Sequence, residues 1–563
     1  MIAASSTGPL DTRASGNVPF PSTAPRYRVA ITIVIAAALL AYLPALGNGF
    51  AYDDVPIVQQ DTRVQSLTSI GDIFTNGYWQ DASLALYRPI TTLSFATDHA
   101  IGSGSPAWFH ASNLLMNAAV SVLVFLLLAR LFGNPPALAG ALVFALHPVH
   151  VEAVANIVGR AELLSAFFFL LACILWLPRQ SGTHGPSGWR AIAVLACFAV
   201  ALLAKESAAT LPAILLLLDG ISGAARRDRL HAWLRERAPL VAAMLGIIVC
   251  YGIVRAAVLG SFIPGRVDPV LEVAIGTGAR IWTALQAWPV WFRLLFVPDV
   301  LLADYGPGIL WPATGPNGAG VLGLVIALTL LTIGVLAFVS GRMLLALGAL
   351  WFPITILPVS NLLLPIGVLV AERTLYLPSV AISFLVCAAA VAVAQTGSWT
   401  RRVAGAAFAI VLALFAVRTA LRAPVWDSTD RVMLALVGDR PDAFRGRWHM
   451  ARMARNAGQM VHAMNEYDAA IAIWPRRQSL ILEATAFAAE QQRVDRAFEL
   501  AQLGASQWPD DVAVQRVLAG TALDAGQFGV AREAIRAGLA LEPDDAMLLR
   551  MAAFVDSVGG GAS

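Results

Sequence analysis

Two adjacent aspartates, Asp53 and Asp54, directly follow the first long apolar run of this 563-residue chain. Charge is unusual in that place, because a carboxylate at the centre of a membrane helix costs roughly 2.5–3.5 kcal/mol on insertion scales. A carboxylate that is fixed within hydrogen-bond reach of a hydroxyl can remove its proton. The placement therefore predicts a general base at a membrane surface, and the alternative is a pair of solvated loop residues.

A second polar stretch runs from His147 to Glu162, between two later apolar runs. The three-residue spacing of His147 and His150 places both rings on one helical face. One interpretation of that pair is a metal site, and the other is a hydrogen-bonded helix cap. Glu152 is a candidate second carboxylate of the site. We expect Arg160 and Glu162 to pair with each other or with a substrate.

Four basic side chains are candidates for holding a phosphate, since guanidinium groups make bidentate contacts and a lysine supplies a point charge. They are Arg88, Arg160, Lys205 and Arg373. The alternative for each is snorkelling at the membrane interface or an internal ion pair with a sequence neighbour. Lys205 has Glu206 beside it, and Arg373 has Glu372 beside it.

The composition predicts a polytopic membrane protein. The chain is 58% hydrophobic and only 13% charged, whereas a soluble globular protein is about 25% charged. A net charge of +3 is too small to argue for nucleic-acid binding, and the basic residues are better interpreted as topology signals. The four cysteines all lie inside apolar runs, where we expect small core residues and not a disulfide or zinc framework.

We expect three parts along the chain. Residues 1–25 lack periodicity and predict a disordered cytoplasmic tail, residues 26–425 a transmembrane domain, and residues 430–557 a soluble repeat domain. The first span is expected to be uncleaved and is followed by a long polar segment over residues 47–110, the first loop. This loop carries the aspartate pair, Arg88 and His110.

About eleven spans are predicted from the apolar runs. The first three lie near residues 29–46, 112–132 and 135–147, and the fourth follows the polar stretch and ends near residue 176. The others lie near 191–204, 207–218, 239–258, 320–339, 343–359, 378–394 and 403–419. The basic loop 219–238 is expected to be cytoplasmic, so counting back puts Asp53, His147 and Lys205 on the outer face. We interpret 279–297 as an outer or half-inserted helix. If it spans instead, the repeat domain moves to the cytoplasm.

The repeat domain is indicated by its prolines. Pro441, Pro475, Pro509 and Pro543 are spaced 34 residues apart, which at about 5% proline usage has a chance on the order of 10⁻⁴. A 34-residue unit that closes on a proline is the tetratricopeptide pattern. We expect units over 442–475, 476–509 and 510–543, followed by a solvating cap helix over 544–556.

These stretches resemble the GT-C superfamily of membrane glycosyltransferases, and most closely its transmembrane-and-tetratricopeptide O-mannosyltransferases and their bacterial relatives. The resemblance covers the chain from about residue 30, and the 147–162 and 371–378 stretches are its most specific part. It is carried by Phe50-Ala-Tyr-Asp53-Asp54, Tyr87-Arg88-Pro89, Phe109-His110-Ala-Ser-Asn113, His147-Pro-Val-His150-Val-Glu152 through Gly159-Arg160-Ala-Glu162, Ala204-Lys205-Glu206 and Ala371-Glu372-Arg373-Thr-Leu-Tyr376-Leu-Pro378.

The resemblance implies an all-α fold: a GT-C-like bundle of about eleven spans followed by a tetratricopeptide α-solenoid. It implies inverting transfer of mannose or another hexose from a polyprenyl-phosphate carrier to a hydroxyl of a polypeptide or envelope acceptor, with Asp53 or Asp54 as the base. Glu152 is the third catalytic candidate. The implied substrate-binding residues are Arg88, His110, His147, His150, Arg160, Glu162, Lys205, Glu206, Glu372 and Arg373.

The same resemblance bears on the surroundings of the chain. It implies a bacterial inner membrane, and the span count places the N-terminus in the cytoplasm and the repeat domain in the periplasm. Membrane lipid and an acceptor gathered by the repeat surface are the expected partners. The sequence points to no particular cofactor, and the participation of a divalent cation is left open.

Two other function classes compete with the transferase. A transporter or flippase predicts charges at mid-span and repeated halves, whereas the charges here collect at span ends. A catalytically silent assembly scaffold that acts through its repeats is the third interpretation.

Overall fold

The computed structural model describes residues 25–80, 86–177, 186, 188–221, 230–260 and 267–559. Every regular element in these ranges is a helix, which confirms the all-α prediction. The predicted tail lies outside the described residues except for Pro25, which begins the first helix. The basic residues Arg226, Arg227 and Arg229 of the predicted cytoplasmic loop also lie outside them.

Six helices among the described residues are long and apolar enough to cross a membrane. They are Pro25–Gly47, Pro106–Phe132, Ile157–Trp176, Arg235–Leu259, Gly318–Val339 and Ser398–Asp427. A seventh crossing is formed if the pair Asn134–Leu146 and Pro148–Ala155, bent by 48°, counts as one span. These helices confirm that the chain has the character of a multi-pass membrane protein.

The predicted count of about eleven is not reproduced by helix length, since a bilayer core of about 30 Å needs about 20 helical residues. The other predicted spans are shorter apolar helices: Trp189–Ala204, Leu211–Ile221, Met343–Ile356 and Val380–Ala394. The first two form the predicted short helix pair, joined by the 3₁₀ turn Glu206–Thr210. Segment 279–297 is broken at Gln286 into Thr277–Leu285 and Ala287–Phe296, so neither half spans by length.

The end of the first span touches the end of the last one. The amide of Gly49 donates to the carbonyl of Asp427 at 3.0 Å and to its carboxylate at 3.2 Å. A side chain at position 49 would meet the Asp427 carbonyl at 3.0 Å, so glycine permits the close approach. The amide of Tyr52 also donates to Thr429 Oγ1 at 2.9 Å. The first loop and the start of the repeat domain are therefore in direct contact.

This contact bears on the span count, because a first and a last span that end on the same side require an odd number of crossings. The predicted count of about eleven satisfies this condition. The described residues hold six helices that could span by length, or seven with the bent pair, so helix length does not decide between an even and an odd count. The alternative in which 279–297 adds one span stays a prediction, and neither half of that segment is long enough to span by itself.

The C-terminal part is a tetratricopeptide-like solenoid of packed helix pairs. Each predicted unit holds one pair, and Ala463, Ala497 and Ala531 are buried in the second helices. A final helix, Ala546–Gly559, packs on the last pair through Leu548, whose side chain lies against Gly538. The pairs are Phe444–Asn456 with Met460–Ile473, Gln478–Glu490 with Val494–Gln507, and Val512–Asp524 with Phe528–Leu541.

Candidate functional site

Arg373 joins the first aspartate of the pair to Glu152. Its Nη1 donates to Glu152 Oε1 at 2.6 Å and its backbone amide donates to Oε2 at 2.9 Å. Its Nη2 lies 3.4 Å from Asp53 Oδ2. Glu152 is buried, whereas the side chains of Arg373 and Asp53 are 21% and 18% exposed. The guanidinium is thus held by the buried Glu152 and is partly exposed together with Asp53.

Asp54 has a different environment from its neighbour. Its side chain is fully buried and accepts hydrogen bonds from the amides of Val158 at 2.8 Å, Ile157 at 3.2 Å and Ala51 at 3.3 Å. Burial raises its pKa to about 7, against the opposing effect of these amides. Asp54 therefore fastens the first loop to the start of the helix Ile157–Trp176.

The turn that presents those amides depends on Gly159. A side chain at this position would lie 2.2 Å from the carbonyl of Ala153, which is closer than any Cβ can approach. The glycine lets Val151–Ala155 fold back against Ile157–Gly159. The same short helices carry Glu152 toward Arg373, so one tight turn positions the partners of both aspartates.

Arg88 forms an ion pair with Glu206. Its Nε and Nη2 donate to the two carboxylate oxygens at 3.0 and 2.6 Å. Although burial opposes ionisation, the Arg88 guanidinium lowers the pKa of Glu206 to about 2. The pair joins the first loop to the turn between the two short helices.

Lys205 is paired with Glu162 and not with its neighbour Glu206. Both side chains are buried. Glu162 acts electrostatically on Arg88 and on Arg373 as well as on Lys205. The two ion-pair groups, Arg88–Glu206 with Lys205–Glu162 and Arg373–Glu152 with Asp53, therefore form one charged region.

The sequence-neighbour pairings were wrong in each case. Arg160 does not pair with Glu162: its Nη2 contacts Asp98 at 2.8 Å and donates to the Phe109 carbonyl at 2.9 Å, and its Nε donates to Asn113. These partners use its donors inside the protein. Residues one or two positions apart do not face each other on a helical turn, and Lys205 has an extended backbone, so long-range packing selects the partner.

Glu372 points away from Arg373. Its Oε1 accepts hydrogen bonds from the Tyr305 hydroxyl at 2.7 Å and from the Leu302 amide at 2.5 Å. Burial raises its pKa to about 8, with the charge of Glu152 acting in the same direction. The structure therefore places Glu372 among the residues that hold the segment 297–317.

The three histidines of the prediction are hydrogen-bonded inside the protein. His110 Nε2 lies 3.0 Å from the Gly49 carbonyl, next to the first loop. His147 Nε2 contacts the Leu295 carbonyl at 3.0 Å, and its Nδ1 accepts from the Val149 amide at 3.2 Å. His150 Nε2 contacts Ser379 Oγ at 2.8 Å. The helix-cap interpretation fits His147, and the structure does not bring His147 or His150 to the ion pairs.

Comparison with known proteins gives one consistent set of names. The chain is 31% identical over 389 residues to human protein O-mannosyl-transferase TMTC3, a match of 63% of this chain and 42% of that protein. It is 27% identical over 504 residues to mouse protein O-mannosyl-transferase TMTC4, a match of 79% of this chain and 66% of that protein. The chain resembles the TMTC protein O-mannosyl-transferases. The predicted resemblance to the transmembrane-and-tetratricopeptide O-mannosyltransferases is thereby confirmed, and membership of the GT-C superfamily stays a prediction.

A third relative is Drosophila protein O-mannosyl-transferase Tmtc2, 33% identical over 288 residues, or 48% of this chain and 29% of that protein. The chain thus spans less than half of TMTC3 and of Tmtc2. No protein-family model matches it. Among solved structures, a chain of the APC/C hetero-tetramer Cut9-Hcn1 matches at TM-score 0.22 and 12% identity, over 83% of this chain and 93% of that one. That score is too low to indicate a shared fold.

Two side chains near Asp53 belong to none of the predicted site residues or motifs. Tyr78 is buried with Arg88 over its ring, 5.3 Å from the ring centroid, and its hydroxyl lacks a partner among the described residues. Arg445 reaches Tyr52 from the repeat domain. No local sequence pattern identifies Tyr78 or Arg445 as a site residue, because packing between separate segments of the chain brings each of them close to Asp53.

No group of three His, Cys, Asp or Glu side chains in the described part of the chain is arranged to hold a metal ion. The proposed His147 metal ligand has both ring nitrogens in hydrogen bonds. A cavity of about 320 Å³ lies elsewhere, with lining residues that include Arg293, Tyr305 and Arg440. None of its lining residues is among the predicted site residues, although Tyr305 contacts Glu372.

Proposed function

We propose that the chain is a membrane glycosyltransferase that moves mannose or another hexose from a polyprenyl-phosphate carrier to a hydroxyl of a protein or envelope acceptor. The observation that carries this proposal is the contact of Asp53 with Arg373. A partly exposed carboxylate lies beside a guanidinium that Glu152 fixes from behind. The names of the relatives support the same reaction class.

Asp53 is the general base in this proposal. Its carboxylate is partly exposed and burial raises its pKa, against the opposing charges of Arg373, Arg445 and Arg88. A base with a raised pKa is better matched to neutral pH than an ordinary aspartate. Asp54 already accepts three backbone amides and is fully buried, so its role is to hold the loop.

The reaction is a single displacement. Asp53 takes the proton of the acceptor hydroxyl, the hydroxyl oxygen forms a bond to the anomeric carbon, and the bond from that carbon to the phosphate oxygen breaks. The electron pair leaves with the lipid phosphate, and the configuration inverts. The transition state is oxocarbenium-like.

Arg373 and Arg88 are the groups that would receive the departing phosphate. A guanidinium carries five N–H donors, and the ion pairs described above leave some of them unused. Their side chains are 21% and 13% exposed, whereas Arg160 and Lys205 are nearly buried. Arg160 and Lys205 would then act as scaffold residues that keep Asp98 and Glu162 neutralised.

The outer face of a bacterial inner membrane is the proposed site of the reaction, with the N-terminus in the cytoplasm. We also assign the repeat domain to the periplasm, a choice that the contact between Gly49 and Asp427 at the start of this domain supports. Its curved surface would gather the polypeptide acceptor near Asp53.

The test is transfer by the purified chain in lipid nanodiscs. Synthetic polyprenyl-phosphate hexoses and peptides rich in serine and threonine serve as substrates, and mass spectrometry reads the glycopeptide. We expect a hexosylated product with inverted configuration in the wild type and none with Asp53→Asn. If no donor gives product and deletion of the gene leaves envelope glycans unchanged, the proposal fails. Carrier movement across liposomes without transfer would favour the flippase instead.

A further inference from the structure

We infer that the repeat domain is part of the transfer site itself, through Arg445 as a positioning residue for Tyr52 and Asp53. Arg445 lies in the first turn of the helix Phe444–Asn456, the first helix of the first repeat. The inference rests on the proposed function, because it concerns the same site. It adds that the repeats do more than gather an acceptor.

The contact is made across 393 positions of sequence. Arg445 Nη1 donates to the Tyr52 hydroxyl at 3.0 Å, and its Nε lies 3.6 Å from Asp304 Oδ1. Asp304 belongs to the segment 297–317, which touches the repeat domain where the Phe444 amide meets the Pro307 carbonyl at 3.5 Å. One guanidinium therefore joins the first loop, this segment and the first repeat helix.

Tyr52 is a residue whose conformation needs support. Its φ is +53°, the left-handed region that side chains other than glycine rarely adopt. Such a backbone persists where the surrounding structure holds it. The Tyr52 amide donates to Thr429 at 2.9 Å, and its hydroxyl accepts from Arg445. The C-terminal part thus holds both ends of the residue that precedes Asp53.

Arg445 also contributes charge. Burial raises the pKa of Asp53, and three arginines oppose this effect. The effect of Arg445 is smaller than that of Arg373 and larger than that of Arg88. The carboxyl groups and phenols that share this electrostatic environment belong to several elements. They are Asp54, Tyr52 and Tyr78 of the first loop, Glu152 of the short helix Val151–Ala155, and Asp304 of the segment 297–317.

Three variants separate the charge from the hydrogen bond. Arg445→Gln removes both, Arg445→Lys keeps the charge, and Tyr52→Phe removes the hydroxyl that accepts the bond. The matched control is Arg447→Gln, since Arg447 lies on the same helix but pairs with Glu466 inside the repeat. The readout is the pH profile of kcat/KM for transfer by the full chain, with the thermal unfolding midpoint as a folding check.

We expect the acidic limb of the profile to move to higher pH in Arg445→Gln, because the loss of a positive charge raises the pKa of Asp53. Each unit of that movement is about a tenfold loss of kcat/KM on the limb. Arg445→Lys and Tyr52→Phe should both keep the wild-type limb and lower kcat, because each disturbs the hydrogen bond between the two side chains without removing the charge.

If the acidic limbs of the Arg445→Gln and Arg447→Gln profiles coincide while the wild type is active, the inference is overturned and the proposed function stands. If Arg445→Gln does not fold, unchanged kcat in both Arg445→Lys and Tyr52→Phe overturns it. A wild type with no transfer under any condition instead rejects the proposed function, and the inference falls with it.

Discussion

Arg88 and Glu206 form a two-point ion pair that joins the first loop to the turn after the helix Trp189–Ala204, with Nε and Nη2 donating at 3.0 and 2.6 Å. A lysine at position 88 would keep the charge but cannot reproduce both bonds. We expect Arg88→Lys to destabilise the folded chain by about 1.5–3 kcal/mol, the usual contribution of hydrogen bonds to charged groups. Thermal unfolding in detergent measures it.

The control for this change is Arg293→Lys. Arg293 pairs with Asp299 where both side chains are more than one third exposed, and such surface pairs contribute roughly 0–1 kcal/mol. Equal losses in the two lysine variants would contradict the special role of the Arg88 pair.

Substitutions of Asp53 and Asp54 should have different effects, one on transfer and the other on folding stability. Asp53→Asn is expected to fold normally and to lose transfer by about 10²–10⁴-fold, the typical contribution of a general base. Asp54→Asn turns an amide donor toward the backbone N–H groups that Asp54 accepts, so we expect a loss of folding stability of about 1–3 kcal/mol. Transfer rates and unfolding midpoints of the purified variants measure both effects.

Asp72→Asn is the matched control in the same loop, because Asp72 is exposed. This variant should change neither the transfer rate nor the unfolding midpoint. A stable Asp54→Asn variant without activity, beside an active Asp53→Asn variant, would reverse the assignment of the base.

Glu372 should make the folding stability depend on pH. Its folded pKa is about 8, above the value of about 4.3 in an unfolded chain. Its contribution is therefore complete below about pH 4 and is lost as the pH rises through about 8. Glu372→Gln keeps both observed hydrogen bonds, since both go to Oε1. We expect this variant to show a flatter stability profile than the wild type between about pH 5 and 8.

Thermal unfolding midpoints across that pH range provide the measurement, with Glu490→Gln as the exposed control. Parallel profiles for Glu372→Gln and the wild type would show that Glu372 does not titrate in this range.

Tyr78→Phe removes a hydroxyl that makes no hydrogen bond to the described part of the protein. Because this buried hydroxyl has no partner in the described ranges, its removal should not lower the unfolding midpoint. We expect transfer to fall about tenfold, equivalent to one lost hydrogen bond to a bound substrate. Tyr87→Phe is the control, since its hydroxyl donates to the Phe74 carbonyl at 2.9 Å. An unfolding loss equal to that of Tyr87→Phe would give Tyr78 a structural role instead.

The one-face arrangement can be checked by labelling. Single cysteines at Asp72 and Asp524, both exposed, are introduced into a background without the native cysteines. An impermeant maleimide applied to intact cells with a permeabilised outer membrane should label both or neither. Labelling of one without the other would contradict the proposed placement of the first loop and the repeat domain on one membrane face, which the Gly49 contact with Asp427 supports.

Local patterns predicted the helices and their periods well. The 34-residue proline spacing located three helix pairs, because a repeat period survives the loss of other consensus residues. Within the described ranges, apolar runs located each of the six long apolar helices, since backbone groups inside a bilayer must be satisfied within the segment. Run length did not fix the number of crossings, because a helix packed inside a bundle can be short and apolar without spanning.

The ion pairs were less predictable than the elements. Lys205 pairs with Glu162 and Arg88 with Glu206, although closer partners exist in sequence. The partner of a buried charge is decided by which helices pack together, and that information is not local. The contact of Arg445 with Tyr52 could not be predicted from the sequence for the same reason, because it depends on how the repeat domain packs against the first loop.

The contact between Gly49 and Asp427, 378 positions apart, also has a consequence in time. At a ribosomal rate of about 5–20 residues per second, the first loop waits roughly 20–75 s for its partner to be synthesised. During that interval the aspartate pair is already in the membrane, but Tyr52 lacks the contacts that hold it. A nascent or truncated chain is therefore expected to be inactive, so that transfer begins only when synthesis has reached the repeats.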